Sequence, residues 1–169
     1  NAVMLSGACG HTYGHHGIWQ MYTSDRRPIS SVRTTWRDAL NFPGAYQAGV
    51  IRQLFESRPW YHLEPYQEML LQGPGSGGDS IRTAMANDGS FLMAYAPYGS
   101  CFQLSLNQIR GPQLSACWFN PRTGETSSLG MLTGSSQHYF DPPGNEERGN
   151  DWVLIIDGQG EDETTHGES

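Results

Sequence analysis

A glycine-rich segment, Gly73-Pro-Gly-Ser-Gly-Gly78, divides the chain into two parts with different secondary-structure patterns. Glycine and proline neither extend a helix nor suit a central strand, so this segment predicts a linker at 73–78. Apolar residues before it recur with a helical period, whereas those after it alternate or cluster as in short strands. We therefore predict a mixed α and β protein, with one unit over 1–72 and an antiparallel β-sandwich over 79–157.

Residues 23–72 are predicted to be helical, and an apolar run precedes them. The run Val3-Met4-Leu5 shows no alternation, which is typical of a strand buried on both faces of a parallel sheet, so we expect its partner strands upstream of the chain. Helical spacing predicts a short helix at 36–40 and a longer one over 45–58, with Pro43 in the first turn. We expect the isolated chain to expose the apolar stripe of the longer helix, namely Val50, Ile51, Leu54 and Phe55.

The second part contains seven short candidate strands. They lie near 81–87, 91–96, 101–109, 114–119, 125–132, 136–140 and 152–157. Turn sequences such as Asn87-Asp-Gly-Ser90 and Asn120-Pro-Arg-Thr-Gly124 separate them, as in a small sandwich or barrel. The last strand is apolar at Trp152-Val-Leu-Ile-Ile156 and predicts a central, doubly buried strand. The acidic tail over 158–169 is predicted to be disordered.

Charge and composition exclude several classes of protein. The chain carries 10 Lys+Arg, all of them arginine, against 17 Asp+Glu, and this net charge of −7 argues against a nucleic-acid partner. No apolar run approaches the ~18–20 residues of a membrane-spanning helix. The three cysteines are odd in number and unpatterned, so no disulfide framework is indicated, and a single bridge between Cys101 and Cys117 stays open.

The densest polar cluster directly follows the apolar run, between Gly10 and Trp19. In barrels and open α/β sheets, function gathers on loops at the carboxyl ends of strands. Imidazole, phenol and indole groups together offer hydrogen bonds and a flat apolar platform, which suits a sugar ring. The candidate substrate-binding residues are His11, Tyr13, His15, His16 and Trp19. A purely structural polar loop is the alternative interpretation.

The same cluster predicts neither a metal site nor a cofactor. His11 and His15 have the spacing of a zinc-binding helix, but neighbouring glycines oppose a helix and the glutamate of that motif is missing. Glycoside hydrolysis needs two carboxylates across the scissile bond. The nearest candidates, Asp25 and Asp38, are typical of a solvated loop and of a surface or capping charge. The sequence therefore shows no catalytic pair.

Ordered motifs along the chain resemble those of apiosidase-like (β/α)8 glycoside hydrolases. They are Ser6-Gly-Ala-Cys-Gly-His-Thr-Tyr-Gly-His-His-Gly-Ile-Trp-Gln-Met-Tyr22, Trp36-Arg-Asp-Ala-Leu40, Pro43-Gly-Ala45 and Arg58-Pro-Trp60. Further motifs resemble the C-terminal sandwich of the same proteins, which carries the label "putative collagen-binding domain of a collagenase". These are Asp88-Gly-Ser90, Tyr95-Ala-Pro97, Trp118, Asn120-Pro-Arg-Thr-Gly124, Phe140 and Asp151-Trp-Val-Leu154.

The resemblance implies a layout for the chain. Residues 3–9 would be the eighth strand of a truncated barrel, 10–35 the loop over its active-site mouth and 36–58 its final helical layer, with the sandwich packed on the barrel. The family's catalytic carboxylates come from earlier strands, so the chain alone is expected to be inactive.

We therefore interpret the chain as the C-terminal fragment of a glycoside hydrolase that acts on plant or algal polysaccharide without a cofactor. The resemblance implies a secreted or periplasmic protein. The alternative is a non-catalytic sandwich that binds carbohydrate or protein, or that is purely structural. Its candidate ligand face comprises Tyr95, Tyr98, Trp118 and Tyr139, although Trp118 is more typical of a core residue.

Overall fold

Two antiparallel β-sheets and a layer of helices form the structure, a computed structural model that describes residues 2–134 and 136–158. The helices are α1 (Ala2–Leu5), α2 (His16–Trp19), α3 (Trp36–Ala39) and α4 (Pro43–Glu56), and short 3₁₀ turns lie at Trp60–His62, Gln67–Met69 and Gly77–Asp79. The strands are β1 (Leu63–Pro65), β2 (Leu70–Gln72), β3 (Arg82–Ala86), β4 (Phe91–Ala96), β5 (Phe102–Ser105), β6 (Gln113–Phe119), β7 (Thr126–Thr133), β8 (Gln137–Phe140) and β9 (Trp152–Gly158). Gly158 ends β9, and the rest of the predicted disordered tail, 159–169, lies outside the described residues.

The strands form a six-stranded sheet in the order β1-β3-β4-β9-β6-β7 and a three-stranded sheet in the order β2-β5-β8. All seven strands predicted for the second part are present, although the one predicted at 101–109 ends at Ser105 and is followed by a turn. Glycines occupy the left-handed positions of their turns, for example Gly89 at φ 73° and Gly124 at φ 82°. β9 pairs with β4 on one side and β6 on the other, which confirms its predicted central position.

Two hydrophobic cores share the six-stranded sheet, one on each face. Between the two sheets, the rings of Phe102, Trp118 and Phe140 pack at centroid distances of 5.7 to 6.5 Å. On β9, Leu154 belongs to this core and its neighbour Val153 to the core on the opposite face. This division explains the apolar sequence of β9, since successive residues of a strand face opposite sides of the sheet.

Helix α4 covers the second face of the six-stranded sheet. Its start at Pro43 and its end before Pro59 confirm the predicted helix. Val50, Leu54 and Phe55 are 3%, 2% and 5% exposed. The expectation that the isolated chain exposes this stripe is therefore wrong, because the sheet itself supplies the apolar surface on which the helix packs. The short helix predicted at 36–40 is present as α3.

A bidentate ion pair fastens this helical layer to the sheet. Nε and Nη2 of Arg58, just after α4, each donate to a carboxylate oxygen of Asp157 at 2.6 Å. These hydrogen bonds raise the pKa of Arg58. The pair joins groups that are 99 residues apart in sequence, so the layer and β9 are held together across most of the chain's length.

Residues 3–5 do not form the predicted strand. They lie in the single turn α1, where the backbone N–H of Ser6 donates to the carbonyl of Ala2. Leu5 packs into the core beneath α4, whereas Val3 is 60% exposed. Among the described residues no strand pairs with this run, and a helical turn satisfies its own hydrogen bonds where an unpaired strand would not. A strand of a truncated barrel is thus not seen here.

The stretch predicted to be helical up to residue 72 contains two strands that belong to the sandwich. β1 pairs with β3 in the larger sheet, and β2 pairs with β5 in the smaller one. The first residue of the glycine-rich segment is packed, because a Cβ on Gly73 would lie 2.9 Å from the Cβ of Phe102. Three-residue strands carry too little alternation to be recognised by period, which is why the pattern missed them.

The structure also shows the state of the cysteines and the length of the helices. Cys9, Cys101 and Cys117 are all free, so the bridge between the last two is not formed. Of the described helices, none is both long and apolar enough to cross a membrane.

Candidate functional site

Helix α2 and the segment before it carry four of the five predicted sugar-binding residues. His15 caps the helix, since its Nδ1 accepts a hydrogen bond from the backbone N–H of Gly17 at 3.1 Å. A Cβ on Gly17 would lie 2.7 Å from the carbonyl oxygen of Thr34. Glycine therefore lets α2 pack directly on the backbone that leads into α3.

His16 and Trp19 lie together on the exposed side of α2. Their rings meet edge to face at a centroid distance of 6.0 Å, and Trp19 is 56% exposed. His16 Nδ1 is 2.9 Å from Ser30 Oγ, and Gln20 Nε2 donates to the same hydroxyl at 3.5 Å. An indole, an imidazole and a hydroxyl thus share one surface, and this set can stack on a sugar ring and hydrogen-bond its hydroxyls.

Tyr13 and His15 face the helical layer and are half-buried. The ring of His15 meets Phe42 edge on at 5.3 Å. The ring of Tyr13 lies against the first turn of α4, where a Cβ on Gly44 would be 3.0 Å from it. These contacts hold the loop on α4 and so fix the position of α2.

His11 lies apart from the other four candidates, at a groove between α1 and α4. The groove has a volume of about 330 Å³. All five candidates are among the described residues, and of these five only His11 lines the groove. Its floor includes Met4, Ile51 and Phe55. The polar rim of the groove includes the exposed ion pair of Arg52 with Glu56, at 2.7 Å.

The carboxylates of this region have structural contacts. Asp38 Oδ2 accepts from the hydroxyl of Thr35, whose oxygen in turn caps α3 through the Asp38 N–H. Asp25 is fully exposed, and a hydrogen bond with Thr23 lowers its pKa. Across 2–134 and 136–158, no three His, Cys, Asp or Glu side chains are arranged to hold a metal ion.

Three aromatic residues of the alternative ligand face, Tyr95, Trp118 and Tyr139, do not share one surface. Trp118 is buried between the two sheets. Tyr95 packs against the core on the α4 side, donates to Asp151 at 3.2 Å, and has its pKa raised by burial. Tyr139 is 64% exposed and lies on β8 of the other sheet. The prediction that Trp118 is a core residue is confirmed.

Sequence reasoning missed Ser30 and Phe42 as partners of the cluster. Ser30 is 14 residues from His16, and no motif or period connects the two. Phe42 immediately precedes Pro43, so the sequence could predict its position at the start of α4. Its contact with His15 depends on how the loop between α2 and α4 folds, which the sequence does not show.

Two family models match the chain. The model described as "Apiosidase-like, catalytic domain" matches residues 2–62. The model described as "Putative collagen-binding domain of a collagenase" matches residues 65–157. Both matches lie where the sequence motifs indicated them.

Solved structures of glycoside hydrolases are similar to the chain. One, titled "Glycoside hydrolase", is 27% identical with a TM-score of 0.84, over 95% of this chain and 36% of its own. A glycoside hydrolase family 5 from Bacteroides vulgatus ATCC 8482 is 25% identical with a TM-score of 0.82, over 93% of this chain and 34% of its own. The chain spans about a third of the length of these structures. The comparison with curated proteins finds no match.

Proposed function

Residues 65–157 place the chain in the family described as "Putative collagen-binding domain of a collagenase", and we propose that it is the part of a polysaccharide-degrading glycoside hydrolase that completes the substrate pocket and adds an accessory sandwich. The exposed pair His16–Trp19, backed by Ser30, is the observation that carries the proposal. It falls within the residues that match an apiosidase-like catalytic domain.

In this proposal the five candidate residues have different parts. Trp19 stacks on the face of a sugar ring, and His16 hydrogen-bonds a hydroxyl of the same ring. Tyr13 and His15 hold α2 in place through their contacts with α4 and Phe42. His11 extends the surface towards the groove beside α1.

The proposal places the catalytic carboxylates on strands upstream of this chain. Hydrolysis then needs no cofactor, since two carboxyl groups across the scissile bond are sufficient. In such a protein, residues 3–9 would have neighbouring strands that satisfy their backbone groups, and the run would extend from its single turn into a barrel strand. The substrate is plant or algal polysaccharide, with apiose-type linkages as one candidate, and the protein is secreted or periplasmic.

The experiment compares the chain 1–169 with the protein encoded by a longer reading frame that contains it. Both are assayed for the release of reducing sugar from a panel of plant and algal polysaccharides that includes an apiose-containing pectin. We expect release by the longer protein only. Release by the chain alone, or by neither protein, would contradict the proposal.

A further inference from the structure

The outer face of the three-stranded sheet lies on the side of the molecule opposite the helical layer. Phe102 and Leu104 of β5 point into the core between the sheets, so the residues that alternate with them point outward. On β2 the register shifts between Leu70 and Gln72, and both Leu71 and Gln72 are exposed. We define the outer face by these two residues and by the outward residues of β5 and β8, which are Gln103, Ser105, Gln137 and Tyr139. None of these six side chains carries a charge at neutral pH.

One aromatic ring stands on this face. Tyr139 is 64% exposed and pairs with Gln103 across β5 and β8. Its hydroxyl hydrogen-bonds Cys101, the residue diagonally across on the chain leading into β5, and this contact raises the pKa of Tyr139. Cys101 Sγ in turn donates to Asp141 at 3.1 Å. Most of the surface of the ring is therefore open to solvent.

Amide and hydroxyl groups surround this ring. Gln103 Nε2 donates to Gln137 Oε1 at 3.4 Å, and Ser105 Oγ donates to Asn107 at 2.9 Å. The remaining amide hydrogens of both glutamines have no partner among the described residues. A hollow of about 230 Å³ continues the face beyond Ser105, with Glu68, Asn107 and Gln108 in its lining.

We propose that the outer face binds a neutral polysaccharide chain, with one sugar ring stacked on Tyr139 and the neighbouring hydroxyls bonded to Gln103 and Gln137. A row of neutral donors and acceptors matches sugar hydroxyls, and an exposed ring matches the C–H face of a pyranose. A polyanion finds no cation among the six residues. A protein partner finds only one aromatic anchor and no buried apolar centre, unlike the surfaces that proteins use for stable contacts.

This site is independent of the proposed substrate site on α2. The segment before α2 is held on α4 by Tyr13, and α4 packs on the face of the six-stranded sheet that is turned away from the three-stranded sheet. A polysaccharide held on the outer face is not hydrolysed there, so binding is measured without any assay of activity.

Affinity electrophoresis of the chain tests the proposal. Native gels contain xyloglucan, galactomannan or polygalacturonate, and sedimentation with fibrillar collagen is measured in parallel. We expect retardation in at least one neutral gel, a loss of affinity of tenfold or more in Tyr139→Ala, and none in the matched control Tyr46→Ala, whose tyrosine on α4 is 65% exposed. Gln137→Glu, which leaves the ring in place, is expected to weaken binding as well.

Thermal melts of each variant separate loss of binding from loss of folding. The proposal is overturned if no neutral gel retards the wild-type chain, if Tyr139→Ala is retarded as strongly as wild type, or if the chain binds only polygalacturonate or collagen. A failure here leaves the activity assay of the longer protein unaffected, so the two proposals fail separately.

Discussion

At the residue scale, close approaches between the backbone and neighbouring atoms determine where the chain needs glycine. Gly17 allows α2 to lie on the carbonyl of Thr34, and Gly73 allows the end of β2 to lie on Phe102. The composition shows that glycine is abundant but not which glycines are packed. Gly75 is only two residues from Gly73, yet a Cβ at that position would have no atom within 4 Å.

Gly73→Ala is predicted to lower the free energy of unfolding by about 1–3 kcal/mol. The new methyl group would meet Phe102 at 2.9 Å, and the φ of Gly73, 142°, is one that alanine rarely adopts. Urea denaturation measures the change, and Gly75→Ala is the matched control. Equal stability of the two variants would show that the contact of Gly73 with Phe102 does not require glycine.

The turn between β3 and β4 carries a prediction about pH. Asp88 Oδ1 accepts from the backbone N–H of Ser90 at 3.0 Å, and hydrogen bonding with Ser90 lowers the pKa of Asp88 below its ordinary value of 3.8. A lowered pKa in the folded state stabilises the protein above the unfolded pKa, and this stabilisation is lost as pH falls through the folded value.

Asp88→Asn keeps an acceptor oxygen but cannot ionise. The variant is therefore expected to lose less stability than wild type as the pH falls below about 4. Chemical denaturation at a series of pH values measures this slope. A steeper loss of stability in the variant than in wild type would show that the pKa of Asp88 is not lowered by folding.

At the scale of secondary-structure elements, the length of a helix or strand determines whether the sequence could predict it. Helix α4 and the seven longer strands show several periods of their pattern and were all predicted. β1 and β2 have three residues each, so their place in the sheets depends on partners far along the chain. The strand predicted at residues 3–5 was wrong for a related reason. Three apolar residues fit either a buried strand or a helical turn, and the elements packed around them decide which one forms.

Leu54→Ala is predicted to lower the free energy of unfolding by about 2–5 kcal/mol. Leu54 is 2% exposed in the core shared by α4 and the six-stranded sheet. The matched control is Leu40→Ala, at a leucine that is 51% exposed, where a change within about 0.5 kcal/mol is expected. Thermal or urea denaturation measures both variants, and similar values would mean that α4 does not pack on the sheet.

At the scale of the whole molecule, the chain is a layered assembly in which one sheet serves two cores. The helical layer is joined to β9 by apolar packing and by the pair Arg58–Asp157. The family resemblance implied that the sandwich packs on the unit before it, but the residue pattern could not show that α4 and the six-stranded sheet share a core, because no local pattern records which faces meet. The three-dimensional structure is needed to show which face of α4 packs on which face of the sheet.

The candidate site shows the same limit. The sequence identified the cluster from His11 to Trp19 by composition, and its separation into an exposed pair, a half-buried pair and a groove residue required the structure. Asp38 was predictable as a capping charge because Thr35 stands three residues before it at a helix start.

The most direct test of the central claim, that α2 forms part of a substrate pocket, is the kcat/KM for polysaccharide hydrolysis by the longer protein carrying Trp19→Ala. The account predicts a decrease of tenfold or more, equivalent to about 1.4 kcal/mol, because the sugar loses its stacking surface. Tyr46→Ala, at a similarly exposed ring on α4, is expected to leave kcat/KM unchanged. An unchanged kcat/KM in Trp19→Ala, with folding intact, would contradict the claim and leave α2 a structural element.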